Sequence, residues 1–210
     1  PCLECPPMDL PTTQDASEHL GHLFPVFVGA FRRGFGSWLG MAAERPDEWL
    51  HLGPRTRANH VRDLAIAVVR DAVRDLPGHI MVEHQGLQLL AVGSRFTIRF
   101  KKLNAYLRPA NILTLQQLQI GQQEPIDGLG GVHLVAGYVL ADDGLSIERC
   151  ALVLLHHDEV VWVIDLDDHG QVLGLPRPGS PASPTGPSPE PRLPLIVPRT
   201  EEGRAGSDAR

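Results

Sequence analysis

The sequence predicts an α+β domain in which N-terminal helices pack on a mainly antiparallel sheet of about six strands. Apolar residues recur with a helical period through residue 76, and from residue 79 the period changes to that of strands. The resulting order, αα-βββ-α-βββ, lacks the strand–helix alternation of a doubly wound fold. With 210 residues, 42% hydrophobic and 21% charged, the chain suits one globular domain with tails.

Composition divides the chain into three parts. Residues 1–15 are Pro-rich and polar and are predicted to be disordered, residues 16–169 form the domain, and residues 170–210 are a disordered Pro-rich tail. Cys2 and Cys5 supply only half of a zinc ligand set, so no metal or cofactor is predicted. The longest apolar stretch is too short for a bilayer and no signal peptide is evident, which predicts a cytoplasmic protein without membrane contact.

Residues 16–45 are predicted to be helical, in two pieces. Either Asp15 or Ser17 is expected to cap the start, and Pro25, Gly34 and Gly36 predict a kink or break. The apolar side consists of aromatic residues at helical spacing: Phe24, Phe27, Phe31, Phe35 and Trp38.

The second predicted helix covers residues 55–76 and ends at Pro77-Gly78. Its opposite side carries arginine and aspartate in mixed order. The apolar side is one continuous stripe: Val61, Leu64, Ala65, Val68, Ala72, Val73 and Leu76.

Alternation predicts two groups of three strands. The first group is 79–85, 87–92 and 95–102, with turns at Gly86 and at Gly93-Ser94. A short helix at about 112–119 and a loop at "EPIDGLGG" follow. The second group is 132–140, 145–155 and 160–166, with a hairpin turn at Asp143-Gly144.

The chain has two lysines, and they are adjacent: Lys101 and Lys102. Alternation over 95–102 directs Phe96, Ile98 and Phe100 into the core and the intervening residues, which include Arg95 and Arg99, to the other side. Cations at a spacing of about 6.6 Å match successive phosphates of a nucleic acid, so this row predicts phosphate contacts. The alternative is a solvated sheet face whose cations pair with residues such as Glu83, with the lysines protecting a sheet edge.

A second hypothesis concerns the start of the helix at 55–76. Arg57 and His60 lie near its apolar side and need polar partners, and Glu83 follows on the first strand. Together with Arg99 and Lys101 they would form a cluster in which His60 and Glu83 act as catalytic groups beside phosphate-binding cations. The alternative is that His60 is a boundary residue and that the Arg57 guanidinium extends to water.

The segments "GPRTRANHVRDLAIAVVRDAV", "GLQLLAVGSRFTIRFKKL" and "VAGYVL" resemble a group of uncharacterised bacterial proteins encoded beside helix-turn-helix regulators in prophage or toxin–antitoxin-like loci. The resemblance covers about residues 45–168. It implies a toxin-like or phage-related role and a regulator or antitoxin as partner, but it implies no catalytic residues.

Two functions are therefore predicted. In the first, the protein acts on or binds nucleic acid through Arg57, Arg95, Arg99, Lys101 and Lys102, although the net charge of −6 requires that this basic surface be local. In the second, the protein is a non-enzymatic interaction module whose sheet pairs with a partner protein.

Overall fold

The computed structural model describes residues 10–84, 86–109, 123, 131–157 and 159–168, and the backbone of 171–173. These residues form an α+β structure, which confirms the predicted fold class. The predicted helix at 112–119 and nearly all of the 170–210 tail lie outside the described residues. Within them, the folded elements extend from Thr13 to Leu173, slightly beyond both predicted domain boundaries.

The first helix, α1, is Thr13–Leu20, and its cap differs from the prediction. Thr12 is the N-cap: its hydroxyl accepts from the Asp15 amide at 3.1 Å, and the Asp15 carboxylate accepts from the Thr12 amide at 3.1 Å. Asp15 therefore contributes as the reciprocal partner of a capping box and not as the cap itself.

A 3₁₀ turn, Gly21–Leu23, separates α1 from helix α2, Phe24–Glu44. The two-piece prediction is confirmed: the break lies just before Pro25, one of the three residues predicted to mark it, and does not occur at the two glycines. Pro25 lies in the first turn of α2, where its missing amide costs nothing, and Gly34 and Gly36 lie inside an unbroken helix. The predicted aromatic stripe of α2 is buried.

Two further helices follow among the described residues. Helix α3 is Pro46–Leu50 and helix α4 is Pro54–Val73. The predicted helix at 55–76 is therefore confirmed with an earlier end. Helix α4 packs against α2 and against the sheet, and its buried residues include Val61, Ala65 and Val69.

In the part of the chain that the structure describes, seven strands form one sheet in the order β1-β2-β3-β4-β5-β6-β7. All neighbouring strands are antiparallel except β3 and β4, which pair in parallel from Phe96↔Val132 to Lys102↔Tyr138. The predicted strands are confirmed to within two residues at their ends, and Gln171–Leu173 adds a seventh. The bounds are β1 His79–His84, β2 Leu87–Val92, β3 Phe96–Lys102, β4 Val132–Leu140, β5 Ile147–His156, β6 Glu159–Asp165 and β7 Gln171–Leu173.

Both faces of the central sheet are buried. The main core lies between the helices and one face, where Phe31 contacts Phe100 and Tyr138 with ring centroids 6.2 and 5.3 Å apart. A smaller apolar cluster covers the other face over β4, β5 and β6, and includes Val135, Val153 and Val163. Long apolar runs without alternation, such as "VHLVAGYVL", are typical of strands buried on both sides.

Candidate functional site

Strand β3, which carries the two lysines, lies third among the seven strands, between β2 and β4. As a whole β3 is not an edge strand, which does not support the alternative that the lysines protect an outer edge of the sheet. The β2–β3 ladder ends at Leu89↔Arg99, however, while pairing with β4 continues to Lys102. The last residues of β3 therefore have a β4 neighbour on one side and an opening on the other.

The predicted outward row of cations along β3 is only half correct. Phe96, Ile98 and Phe100 face the main core, as alternation predicted. The opposite side is not an open surface, because Thr97 is fully buried and Arg99 is only 4% exposed. Arg99 also interacts with other groups of the chain. A row that tracks a nucleic-acid backbone cannot form, because the second sheet face is itself buried.

Arg95, just before β3, is held by helix α1. Its Nη2 lies 3.1 Å from Asp15 Oδ1, and its Nη1 lies 3.2 Å from His19 Nε2. The guanidinium is thus paired with the carboxylate that also completes the α1 capping box. Arg95 joins α1 to the sheet at the opposite end of β3 from the lysines.

Lys101 lines a small cleft, which we call the Lys101 cleft. It lies between α4, the start of β2 and the end of β3. Its free volume is about 80 Å³, and its charged lining consists of Arg62, Asp63, Arg99 and Lys101. Asp63 is bound to Arg62, whose Nη2 lies 2.7 Å from the Asp63 carboxylate. Among the described residues the Lys101 side chain has neither an ion pair nor a hydrogen bond, and Arg99 and Arg62 act on it as like charges.

The environment of Lys101 disfavours its charged form. Burial, and then the positive charges of Arg99 and Arg62, lower the pKa of Lys101 to about 8. Removing an ammonium from water costs free energy, and like charges nearby add to that cost. Lys101 is therefore kept at an energetic expense to the fold, as is common at functional sites.

Replacing Lys101 with methionine should stabilise the protein at neutral pH. The folded-state pKa lies below the unfolded value of 10.5, so the penalty is complete below about pH 8 and disappears as the pH rises towards 10.5. Lys101→Met should raise the free energy of unfolding by about 1–2 kcal/mol at pH 7, after allowance for solvent screening of a half-exposed group. Urea denaturation at pH 7 and pH 9.5 measures the difference, which should shrink at the higher pH. A stability difference between the variant and the wild type that stays constant or widens at pH 9.5 would contradict the lowered pKa of Lys101.

Lys102 points to the opposite side of β3 and lines a different cleft, which we call the Lys102 cleft. Its free volume is about 290 Å³, and its polar lining includes Arg57, Lys102, Asn104, Asp142 and Glu148. The Arg57 Nη1 donates to the Gly144 carbonyl oxygen at 3.0 Å. Burial, and then the charge of Arg57, lower the pKa of Lys102. The Nη1 of Arg57 therefore takes a backbone carbonyl as partner instead of Glu83, whereas its buried Nε has no hydrogen-bond partner among the described residues.

A tight turn follows the lysines and exposes an aromatic side chain. The Asn104 side chain accepts from the amides of Tyr106 at 2.9 Å and Arg108 at 3.0 Å. Leu107 anchors the turn, since it is buried and adopts a φ of 61°. Tyr106 is 71% exposed between these fixed points. Sequence analysis missed Tyr106, although "KKLNAYLR" interleaves cations with an aromatic residue.

The structure does not form the predicted reactive cluster. His60 packs against α2, where its Nε2 lies 3.2 Å from Ser37 Oγ and its ring contacts Trp38. Glu83 is exposed on β1, opposite Gln88 of β2. Neither lines the cleft of Lys101 or that of Lys102, and Arg57 lines the Lys102 cleft and not the Lys101 cleft. The His60–Glu83 pairing is therefore wrong, because β1 is two strands from β3 and His60 turns towards α2.

In the part of the chain that the structure describes, no group of three or more histidine, cysteine, aspartate or glutamate residues is arranged to hold a metal ion. No helix within the described ranges is both long enough and apolar enough to cross a bilayer.

The fold and the two clefts define an α+β protein with a basic region at the end of one central strand. Compared with known proteins, the chain matches no family model, no curated protein and no solved structure.

Proposed function

We propose that this protein binds single-stranded nucleic acid at the end of β3, through a surface formed by Arg57, Arg62, Lys101, Lys102 and Tyr106. The observation that carries the proposal is a pair of lysines that have no carboxylate partner among the described residues, followed within four residues by an exposed tyrosine on a fixed turn. Single-stranded nucleic acids are bound by cations that contact phosphates and by aromatic rings on which bases stack.

The cations supply the electrostatic part of the surface. Lys101 and Lys102 point to opposite sides of β3, and each has an arginine in its cleft, Arg62 or Arg57. A strand that crosses the end of β3 meets both clefts. Phosphate contacts of this kind are independent of base sequence and weaken as the salt concentration rises.

Tyr106 supplies the stacking part. Its backbone is fixed by Asn104, so little conformational entropy is lost when a base stacks on the ring. Bases of a duplex are already stacked on one another, whereas those of a single strand are available to an aromatic side chain. The surface is therefore better suited to a single strand than to a duplex.

Carboxylates limit the size of this surface. Asp142 and Glu148 line the Lys102 cleft, Asp63 lines the Lys101 cleft, and the whole chain carries a net charge of −6. We therefore expect a footprint of a few nucleotides and a steep dependence on ionic strength, since acidic surroundings repel the remainder of a long strand.

Tyr106→Ala should weaken binding of a fluorescein-labelled twelve-nucleotide oligo(dT) or oligo(U) by about 5-fold to 100-fold, the usual value of one stacked base. Tyr106→Phe should retain most of the affinity, because it keeps the ring. In a Lys101→Gln/Lys102→Gln variant the slope of log affinity against log salt should fall by about 1.4, or about 0.7 for each phosphate contact. Fluorescence anisotropy across a salt series measures both effects.

The matched control is Arg33→Gln, which removes one exposed charge from α2 outside both clefts. It should leave affinity and slope unchanged. The proposed binding surface would be rejected if the wild type and Tyr106→Ala bound the oligonucleotide with equal affinity. It would also be rejected if Arg33→Gln lost as much affinity as the variants of the surface.

The toxin-like or phage-related setting is a separate part of this proposal, and its support is the resemblance of the chain to proteins encoded beside helix-turn-helix regulators. A regulator or antitoxin is the partner that this setting implies. Growth arrest on expression, relieved by Tyr106→Ala, would connect the setting to the binding surface.

The second candidate function is a protein-interaction module that accepts a partner strand at β1. One observation favours it: β1 is the first strand of the sheet, so within the described residues one side of its backbone has no neighbouring strand, and Ile80 on it is 63% exposed. Exposed strand edges pair readily with strands of other proteins. If the folded wild type binds none of the oligonucleotides at low salt, this function takes precedence.

A further inference from the structure

We propose that Lys101 is a site of covalent acylation by small acyl phosphates, which enter the Lys101 cleft with their phosphate towards Arg62. This inference goes beyond nucleic-acid binding, since it assigns a reaction to an amine and a ligand to a cleft.

The amine is placed as a nucleophile requires. Lys101 is half-buried at the cleft, and within the described ranges no carboxylate and no hydrogen-bond acceptor holds it. The charged groups that face it are Arg62 and Asp63 from α4 and Arg99 from β3 itself. Asp63 is occupied by two contacts to Arg62, from Nε at 2.9 Å and Nη2 at 2.7 Å. Arg99 and Arg62 therefore act on the amine as like charges, although Asp63 offsets part of the charge of Arg62.

Like charges beside the amine favour both an anionic ligand and a neutral amine. With a pKa of about 8, roughly a tenth of the Lys101 side chains are unprotonated at pH 7, compared with fewer than one in a thousand for an ordinary lysine. Only the unprotonated amine is a nucleophile. The free volume of about 80 Å³ is close to that of three water molecules, which suits a single phosphate-sized group.

The reaction needs no oxidant or metal. The lone pair of the Lys101 Nζ attacks the acyl carbon, an N–C bond forms, and the C–O bond to phosphate breaks. Inorganic phosphate leaves with the bonding electrons, and the amine proton passes to solvent. Arg62 acts as a positioning residue, because its guanidinium attracts the phosphate in the reactant and stabilises its added charge as it leaves.

Acylation also removes an unfavourable charge from the fold. The amide product is neutral, so the repulsion between Lys101 and the two guanidinium groups disappears. If the proposed function holds, the same modification removes one phosphate contact and weakens nucleic-acid binding, which would make Lys101 a point of control.

The scarcity of lysine makes the test direct. Lys102→Arg leaves Lys101 as the lysine of the chain, Lys101→Arg leaves Lys102, and the double variant measures the background from other groups. Each full-length variant is incubated with acetyl phosphate between pH 6.5 and 9.5, and acetylation is measured by mass spectrometry. At pH 7.5 the chain that retains Lys101 should react at least about tenfold faster than the chain that retains Lys102, with a rate that levels off above about pH 8.

Two comparisons make the result decisive. Arg62→Gln, added to the Lys102→Arg chain, should slow acetylation by acetyl phosphate several-fold more than acetylation by the uncharged reagent N-acetoxysuccinimide, whose rate falls only through the higher pKa of Lys101. Equal rates for the two single-lysine chains would overturn the assignment of Lys101, and equal slowing with both reagents would overturn phosphate positioning by Arg62. Acetylation is measured without nucleic acid, so failure of the proposed function is detected separately by the anisotropy experiment.

Discussion

Replacement of Gln123 with leucine should lower the free energy of unfolding by about 3 kcal/mol, because it leaves several buried polar groups unpaired. The Gln123 amide nitrogen donates to the carbonyl oxygens of His133 at 2.9 Å and Leu155 at 2.7 Å, and its oxygen accepts from the His133 amide at 2.7 Å. The β4–β5 ladder ends at Leu134↔Leu154, so one buried side chain continues the pairing between the next residues of both strands.

Urea denaturation followed by circular dichroism measures this loss. Gln88→Leu is the matched control, because Gln88 is an exposed glutamine with a hydrogen bond to Arg70, and its replacement should change stability by less than about 0.5 kcal/mol. Similar losses for the two variants would show that Gln123 does not satisfy these backbone groups.

Gly34→Ala should lower the free energy of unfolding by about 2 kcal/mol, although alanine is the better helix former. A Cβ at Gly34 would lie 2.7 Å from the Val61 carbonyl oxygen of α4, which is backbone and cannot rotate away. The two helices would have to separate, and they share the main core with the sheet. The substitution therefore tests the α2–α4 contact that positions Arg57 and Arg62.

The control lies two residues along the same helix. A Cβ at Gly36 meets nothing within 4 Å, so Gly36→Ala should raise stability by up to about 1 kcal/mol through helix propensity alone. Thermal and urea denaturation of both variants should give shifts of opposite sign. Stabilisation by both substitutions would mean that α2 and α4 are not in close contact at Gly34.

The two adjacent lysines line two different clefts. They are neighbours on one strand, so their side chains point to opposite sides of the sheet. One lies beside Arg62 and the other beside Arg57. The surface proposed for nucleic acid therefore spans the end of β3, instead of following its length as the sequence had indicated.

Periodicity in the sequence determined the secondary structure and the direction of the core-facing residues. The strands of the sheet and the inward direction of Phe96, Ile98 and Phe100 were predicted correctly, because each depends on residues close in the chain. The aromatic spacing of α2 likewise predicted its buried side, since residues three and four apart share a helix face. The predicted stripe of α4 was only partly correct: Ala72 and Leu76 are exposed, and Ile66 and Val69 are buried although they were not in it.

Only the tertiary structure decided what covers each face and which polar residues meet. Arg99 alternates outward as predicted, yet it is buried, because the second face of the sheet is also covered. His60 and Glu83 are separated, and Gln123 joins β4 to β5, through contacts between residues distant in the chain. Alternation states which side of a strand a residue occupies, but whether that side meets water, a helix or another charge depends on the strand order and on segments far away in the sequence.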